Sequence, residues 1–146
     1  MSTRQDGAKS PPVRSKDDLV AWIAAGEKPK PDWRIGTEHE KFVFYTESFS
    51  PVPYEGDRGI RALMEALMAR YDWLPIKEGD RIIALKRPDE APGGTISLEP
   101  GGQFELSGAP LRTLHETCAE TQEHLFEVLG AGEDLGIGFL GVGFSP

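Results

Sequence analysis

A single cysteine, Cys118, stands in the 146 residues. No intrachain disulfide can form, which fits a reducing compartment. A lone cysteine on a helix is expected to be a small core residue, and no neighbouring base marks it as a nucleophile. Long apolar runs are absent as well. Nothing approaches the roughly 18–20 residues needed to cross a bilayer, so no membrane partner is expected. Residues 1–14 lack the apolar stretch of a secretory signal, and the expectation is a cytoplasmic address. No GxxxxGK[ST] follows the glycines at 136, 138, 141 and 143, which excludes that phosphate-cradling loop. There are no internal repeats.

Positive charge is scarce too. The chain holds 16 Lys and Arg against 24 Asp and Glu, a net charge of −8. Seven of the basic and five of the acidic residues fall in 1–36, so the excess acid belongs to the remainder. Such a body repels a nucleic-acid backbone, and no nucleic-acid partner is expected. Converging carboxylates would instead attract divalent cations. With 38% hydrophobic residues the chain has enough apolar side chain for a real core, and its length suits one domain.

Residues 1–14, with Gly7, Pro11 and Pro12, read as a flexible arm; residues 15–146 read as the folded part. Ser15 and Asp18 form a capping signal for a helix bearing Leu19, Val20, Trp22 and Ile23, which stops at Gly26. Residues 28–32, Lys-Pro-Lys-Pro-Asp, read as a connector that cannot be helix. From Trp33 to Tyr45 the pattern alternates, predicting one long strand. Ile35, Thr37, His39, Lys41, Val43 and Tyr45 share one face; Glu38, Glu40, Phe42 and Phe44 share the other, which begins acidic and ends aromatic. Ile60, Leu63, Met64, Leu67 and Tyr71 then recur at helical spacing, predicting a helix that opens near Asp57. Arg58 and Arg61 there are either anion contacts or a solvated face.

Two hairpins follow. Residues 73–77 and 81–86 flank a short turn, and 95–99 and 103–107 flank Pro100-Gly101-Gly102. A long helix is predicted from Ala109-Pro110 to about Leu129, with Leu111, Leu114, Cys118, Leu125 and Val128 inward. Ile137–Phe144 reads as a buried strand. The order predicts an α+β fold with a mainly antiparallel sheet and flanking helices.

The second hairpin fixes where its carboxylates point. A three-residue turn pairs Glu99 with Gln103 and Ser97 with Glu105, bringing both polar sets to one face. Glu99 and Glu105 then lie about one diagonal spacing apart, roughly 7–8 Å. Glu38 and Glu40, two apart on the first strand, project together about 6.5–7 Å apart. In one sheet these four make either a solvated polar face or an acidic floor needing cations to offset its self-repulsion. Magnesium, which takes oxygen ligands and shares phosphates and waters, suits such a floor. His39 falls on the opposite face, as a core or surface histidine.

Three segments carry a family likeness: Ile35-Gly-Thr-Glu-His-Glu-Lys-Phe42, residues 97–110 (Ser-Leu-Glu-Pro-Gly-Gly-Gln-Phe-Glu-Leu-Ser-Gly-Ala-Pro) and Leu114-His-Glu-Thr-Cys-Ala-Glu120. In order and spacing they resemble the plant and proteobacterial type of glutamate–cysteine ligase, from about residue 15 onward. The resemblance implies a glutamine-synthetase-like catalytic sheet of the carboxylate–amine ligases. It implies ATP, L-glutamate and L-cysteine as small-molecule partners and Mg2+ as the metal. ATP phosphorylates the glutamate γ-carboxylate, and the cysteine amine displaces phosphate from the resulting γ-glutamyl phosphate, the first step of glutathione biosynthesis. Glu38 and Glu40 match the family's first acidic pair, Glu99 and Glu105 the acids of its second motif. All four are expected metal ligands, with Gln103 a weaker substrate or nucleotide contact. Family members are several times longer, so later metal ligands, substrate-binding arginines and most ATP contacts are missing, and this chain alone is expected to be inactive. The alternatives are a non-catalytic remnant that binds metal or pairs with a partner, and a related ligase acting on another amine. Plant members use cysteine pairs for redox control, which Cys118 alone cannot build.

Overall fold

The computed structural model describes residues 12–88 and 93–144, and the chain divides into two compact units, Met1–Arg34 and Ile35–Pro146. Most of the arm expected over residues 1–14 lies outside the described residues. In the first unit α1 spans Lys16–Ala24 behind the expected capping box, in which Ser15 Oγ accepts from the Asp18 amide and Asp18 accepts from the Ser15 amide. None of its side chains is buried. The connector expected to exclude helix makes a single 3-10 turn, Lys30–Asp32. A turn this short asks no amide of Pro31, so proline does not break it.

The second unit is a six-stranded sheet with two helices. The strands are β1 (Glu38–Tyr45), β2 (Leu74–Glu78), β3 (Arg81–Lys86), β4 (Thr95–Leu98), β5 (Gln103–Ser107) and β6 (Ile137–Leu140). All pairings are antiparallel, in the order β2-β3-β4-β5-β1-β6. The helices are α2 (Ile60–Tyr71) and α3 (Leu114–Glu133). One core joins them to the sheet: Ile60, Leu63, Met64 and Leu67 from α2 and Val128 and Ala131 from α3 pack on Val43, Leu85, Ile96, Phe104 and Ile137. Each such side chain, taken from water, contributes roughly 1.5–3 kcal/mol. Gly132 lets α3 approach β6, since a Cβ there would lie 2.8 Å from the Ile137 carbonyl oxygen and from the Phe139 ring.

Several boundaries differ from expectation. β1 begins at Glu38, because Ile35 makes only an isolated bridge to Leu111 before the chain joins the sheet. α2 begins at Ile60 rather than near Asp57; its first amides are held by the Pro53 and Tyr54 carbonyls, 3.0 Å away. α3 starts at Leu114, and its inward stripe is His124, Glu127, Val128, Ala131 and Gly132. Leu114 and Cys118 are exposed, so the cysteine is not a core residue. The N-terminal half of α3 has little beneath it, and apolar identity alone does not bury a side chain. β6 stops at Leu140, and Gly141–Phe144 are exposed rather than buried strand.

Inward charges on α3 survive because they are paired. Glu127 accepts from Trp73 Nε1 and from Arg87, each at 2.8 Å, and Arg87 also binds Glu123 while lying over the Trp73 ring. A buried carboxylate holding two donors escapes most of the cost of losing water.

Candidate active-site floor

The register settles which way the acidic side chains point. Residues directly opposite in a ladder share a face. β1 sets Glu40 against Glu105 and Glu38 against Ser107, and β5 sets Glu105 against Ser97 and Ser107 against Thr95. The turn between β4 and β5 is the three-residue one: the Glu99 amide donates to the Gln103 carbonyl at 2.9 Å, and the Gly102 amide to the Glu99 carbonyl at 3.0 Å. Gly101 and Gly102 take φ of +88° and +82°, a conformation open to glycine at no steric cost. Glu38, Glu40, Glu99 and Glu105 therefore lie on one face, with Gln103, opposite the core.

That face is built in rungs. One runs Leu140, Phe42, Gln103, Glu99; the next Glu40, Glu105, Ser97, Ala84; the third Glu38, Ser107, Thr95, Lys86. Glu105 sits at the centre and is only 5% exposed. Its Oε1 accepts from Ser107 Oγ at 3.0 Å, and Gln103 Nε2 donates to Glu40 Oε2 at 2.9 Å. Ser97 Oγ, on the Glu105 rung, is buried with no protein partner. Glu38 and Glu40 line an open cleft of about 480 Å³ with residues 141–143, beside the part of β1 that β6 leaves unpaired.

The four carboxylates do not meet at one point. Among the described residues no three His, Cys, Asp or Glu side chains form a ready metal-binding group. Glu38 and Glu99 occupy opposite corners, four residues along and two strands across, roughly 16 Å apart. Glu40 and Glu105 stand directly opposite across the ladder, and Glu38 lies two residues along β1 from Glu40. A donor set of this kind, all oxygen and spread in pairs, fits magnesium ions that complete their shells with phosphate oxygens and water. It does not fit a single protein-caged ion.

Behind the floor, on the helix side, lies a polar cluster that sequence reasoning missed. Lys41 is fully buried, and its Nζ donates to the His39 carbonyl at 2.6 Å. Burial pulls its pKa down to about 8, against the opposing pull of the Glu105 charge. His39 lies on this side, as its parity requires. Its pKa is lowered by burial and then by Lys41. The His124 ring stands 6.3 Å from that of His39, with both nitrogens buried and unpartnered. Burial first, then the charges of Lys41, His39 and Arg87, push its pKa down to about 3. Parity puts His39 and Lys41 on this side, but nothing in the sequence marks Lys41 as buried or sets His124 beside them. Arg58 and Arg61, weighed as anion contacts, are engaged within the fold: Arg58 donates to the Leu135 carbonyl and Glu47, Arg61 to both Glu55 oxygens.

Comparison with known proteins gives the family. The glutamate-cysteine ligase family 2 (GCS2) model matches residues 34–146. The chain is 53% identical over 132 residues to glutamate–cysteine ligase A, chloroplastic, of Oryza sativa subsp. japonica, covering 90% of this chain and 25% of the relative. It is 54% identical to the chloroplastic glutamate–cysteine ligase of Nicotiana tabacum, covering 90% and 24%, and 53% identical to that of Medicago truncatula, covering 90% and 25%. The chain thus spans about a quarter of the length of the curated relatives it matches. The expected cytoplasmic address is overturned, because these relatives are named as chloroplastic. The apolar-leader criterion behind that expectation detects secretory signals only; plastid transit peptides are amphipathic and rich in Ser and Arg. With more than half of its residues matched by the family model, the chain belongs to glutamate–cysteine ligase family 2.

Proposed function

We propose that these residues form part of the ATP and magnesium site of an enzyme that joins the γ-carboxylate of glutamate to the amine of cysteine, the first step of glutathione biosynthesis. The observation that carries the reading is the common face of Glu38, Glu40, Glu99 and Glu105, set by the ladder register. The sheet would belong to a glutamine-synthetase-like catalytic domain. Magnesium, when bound, would neutralise the triphosphate and the charge developing on the transferred phosphoryl group.

The chain's own residues hold and orient. Glu40 and Glu105, facing each other across β1 and β5, would supply oxygens to one ion, with Glu38 beside them and Glu99 at the far corner serving another. Ser107 donates to the Glu105 carboxylate and Gln103 to that of Glu40, which orients both. Gln103 would exchange that contact for a substrate or nucleotide oxygen. ATP then phosphorylates the glutamate γ-carboxylate, and the amine of cysteine attacks the acyl phosphate and releases phosphate. The 146 residues alone would turn over negligibly, since the family likeness assigns further metal ligands, substrate-binding arginines and most nucleotide contacts to later segments.

In a ligase of the relatives' length carrying these residues, Glu40→Gln and Glu105→Gln should each lower turnover by at least about 100-fold. Both should leave the unfolding midpoint nearly unchanged, because the amide oxygen still accepts from its neighbour. Near-normal turnover with an unchanged magnesium requirement in either variant would sink the assignment.

A further inference from the structure

Two cations lie on the helix side of the sheet, and only one has an anion beside it. Arg87 pairs with Glu123 and Glu127. Lys41 is only 2% exposed, yet among the described residues no carboxylate forms an ion pair with it. Its Nζ has the His39 carbonyl at 2.6 Å and His39 Nδ1 at 3.5 Å. His39 and His124 are both held towards their neutral forms, and Glu127 is taken up by Arg87 and Trp73. A carbonyl satisfies one N–H of the ammonium but brings no opposite charge, and a buried ion without one is costly.

The course of the side chain shows where the balancing charge lies. Lys41 folds back along β1 and sets its ammonium on the peptide that joins His39 to Glu40. Neighbouring residues of a strand leave it on opposite faces, so that peptide separates the ammonium from the root of the Glu40 side chain. Glu40 stands opposite Glu105, and Lys41 opposite Phe104 on the adjoining rung. Glu105 is itself only 5% exposed, and its charge pulls the Lys41 pKa upward against burial. Lys41 thus lies beneath the rung on which two carboxylates face each other.

We infer that Lys41 is the resident counter-ion of the acidic floor, offsetting its carboxylates from behind and limiting how tightly they hold a divalent cation. The inference rests on the reading of the floor as a magnesium site. Bond lengths put an ion on the Glu40–Glu105 rung roughly 9 Å from Nζ. At effective dielectrics of about 40 to 80, repulsion over that distance loosens a divalent ion by about 5- to 20-fold. A floor that must exchange its metal and nucleotide at every turnover gains from such a brake.

The test uses a ligase of the relatives' length carrying these residues, free of nucleotide and amino acids. The probe is Mn2+, which takes the same oxygen ligands as magnesium and whose free ion is counted by electron paramagnetic resonance. Lys41→Met, of similar length and without charge, should bind Mn2+ about 5- to 20-fold more tightly. The magnesium concentration for half-maximal turnover should fall in step. Lys41→Arg, which keeps the charge, should stay close to the parent. A role in packing alone moves binding the other way, because a loosened strand scatters its carboxylates. Equal or weaker Mn2+ binding by Lys41→Met therefore overturns the inference. If Lys41→Met folds only with magnesium present, the metal has replaced the missing charge and the inference stands. If it folds under neither condition, Lys41 serves the core and the inference fails. Glu40→Gln separates this from the floor reading: it should lose Mn2+, and retention would overturn the floor and the inference together.

Discussion

On the side covered by α2 and α3, the strands carry Val43, Leu85, Ile96, Phe104 and Ile137, packed to near-zero exposure. On the other side the same strands carry Glu38, Glu40, Ser97, Gln103, Glu105 and Ser107, which α2 and α3 do not cover. The polar groups on the two sides are treated differently. On the helix side Glu127 is matched by Arg87 and Trp73, and Lys41 by the His39 carbonyl, so charge there is settled inside the fold. On the open side Glu40 accepts from Gln103 and Glu105 from Ser107, both uncharged donors. The buried charges of the first face meet opposite charge or a backbone carbonyl, whereas on the second face Glu40 stands directly opposite Glu105. The contrast is not one of burial, because Glu105 and Ser97 are as buried as the core.

Removing core and removing floor should therefore have opposite readouts. Leu67→Ala, in the fully buried stripe of α2, should cost about 3–4 kcal/mol in urea unfolding. A loss under 1 kcal/mol would mean that the helix side is not what holds the sheet.

The buried histidine gives an effect that depends on pH, and its sign is fixed. His124 has a folded pKa of about 3, below its usual 6.5, so the unfolded chain binds the extra proton between those values. Stability should be full above about pH 6.5 and fall as the pH drops towards 3, with a slope approaching about 1.4 kcal/mol per pH unit. His39, lowered for the same reason, acts in the same direction. His124→Leu should flatten the profile over that window; an equally steep profile in the variant would move the effect elsewhere. The smallest change should come from the exposed Arg58–Glu47 pair, where Glu47→Ala should alter stability by less than about 0.5 kcal/mol. A larger loss would show that the loop after β1 contributes more to the fold than its exposure suggests.

The parts of this arrangement readable from the sequence are those governed by strict periods. The alternation through residues 38–45 gives β1 its two faces, the three-residue turn sets Glu105 in phase with Glu99, and the stripe from Ile60 to Leu67 orients α2. The start of β1 was not legible, because Trp33–Thr37 carry β-formers with no partner strand to pair them. The inner face of α3 was misassigned because its buried positions include His124 and Glu127, polar residues whose place depends on Trp73, Arg87 and the sheet, all distant in sequence. Lys41 hides for the same reason. The carboxylates' common face could be read in advance; their spread over opposite corners follows only once the strand order is known.

The turn at Pro100-Gly101-Gly102 has a consequence for how the protein can change. Strand side chains alternate, so losing one glycine there would turn β5 over as a unit, presenting Phe104 and Leu106 to water and driving Glu105 towards the helices. Ordinary substitutions along β5 alter one contact at a time. A single-codon deletion in this turn would instead exchange the inside of the sheet for its outside, making the length of three residues a more stringent requirement than any one side chain it carries.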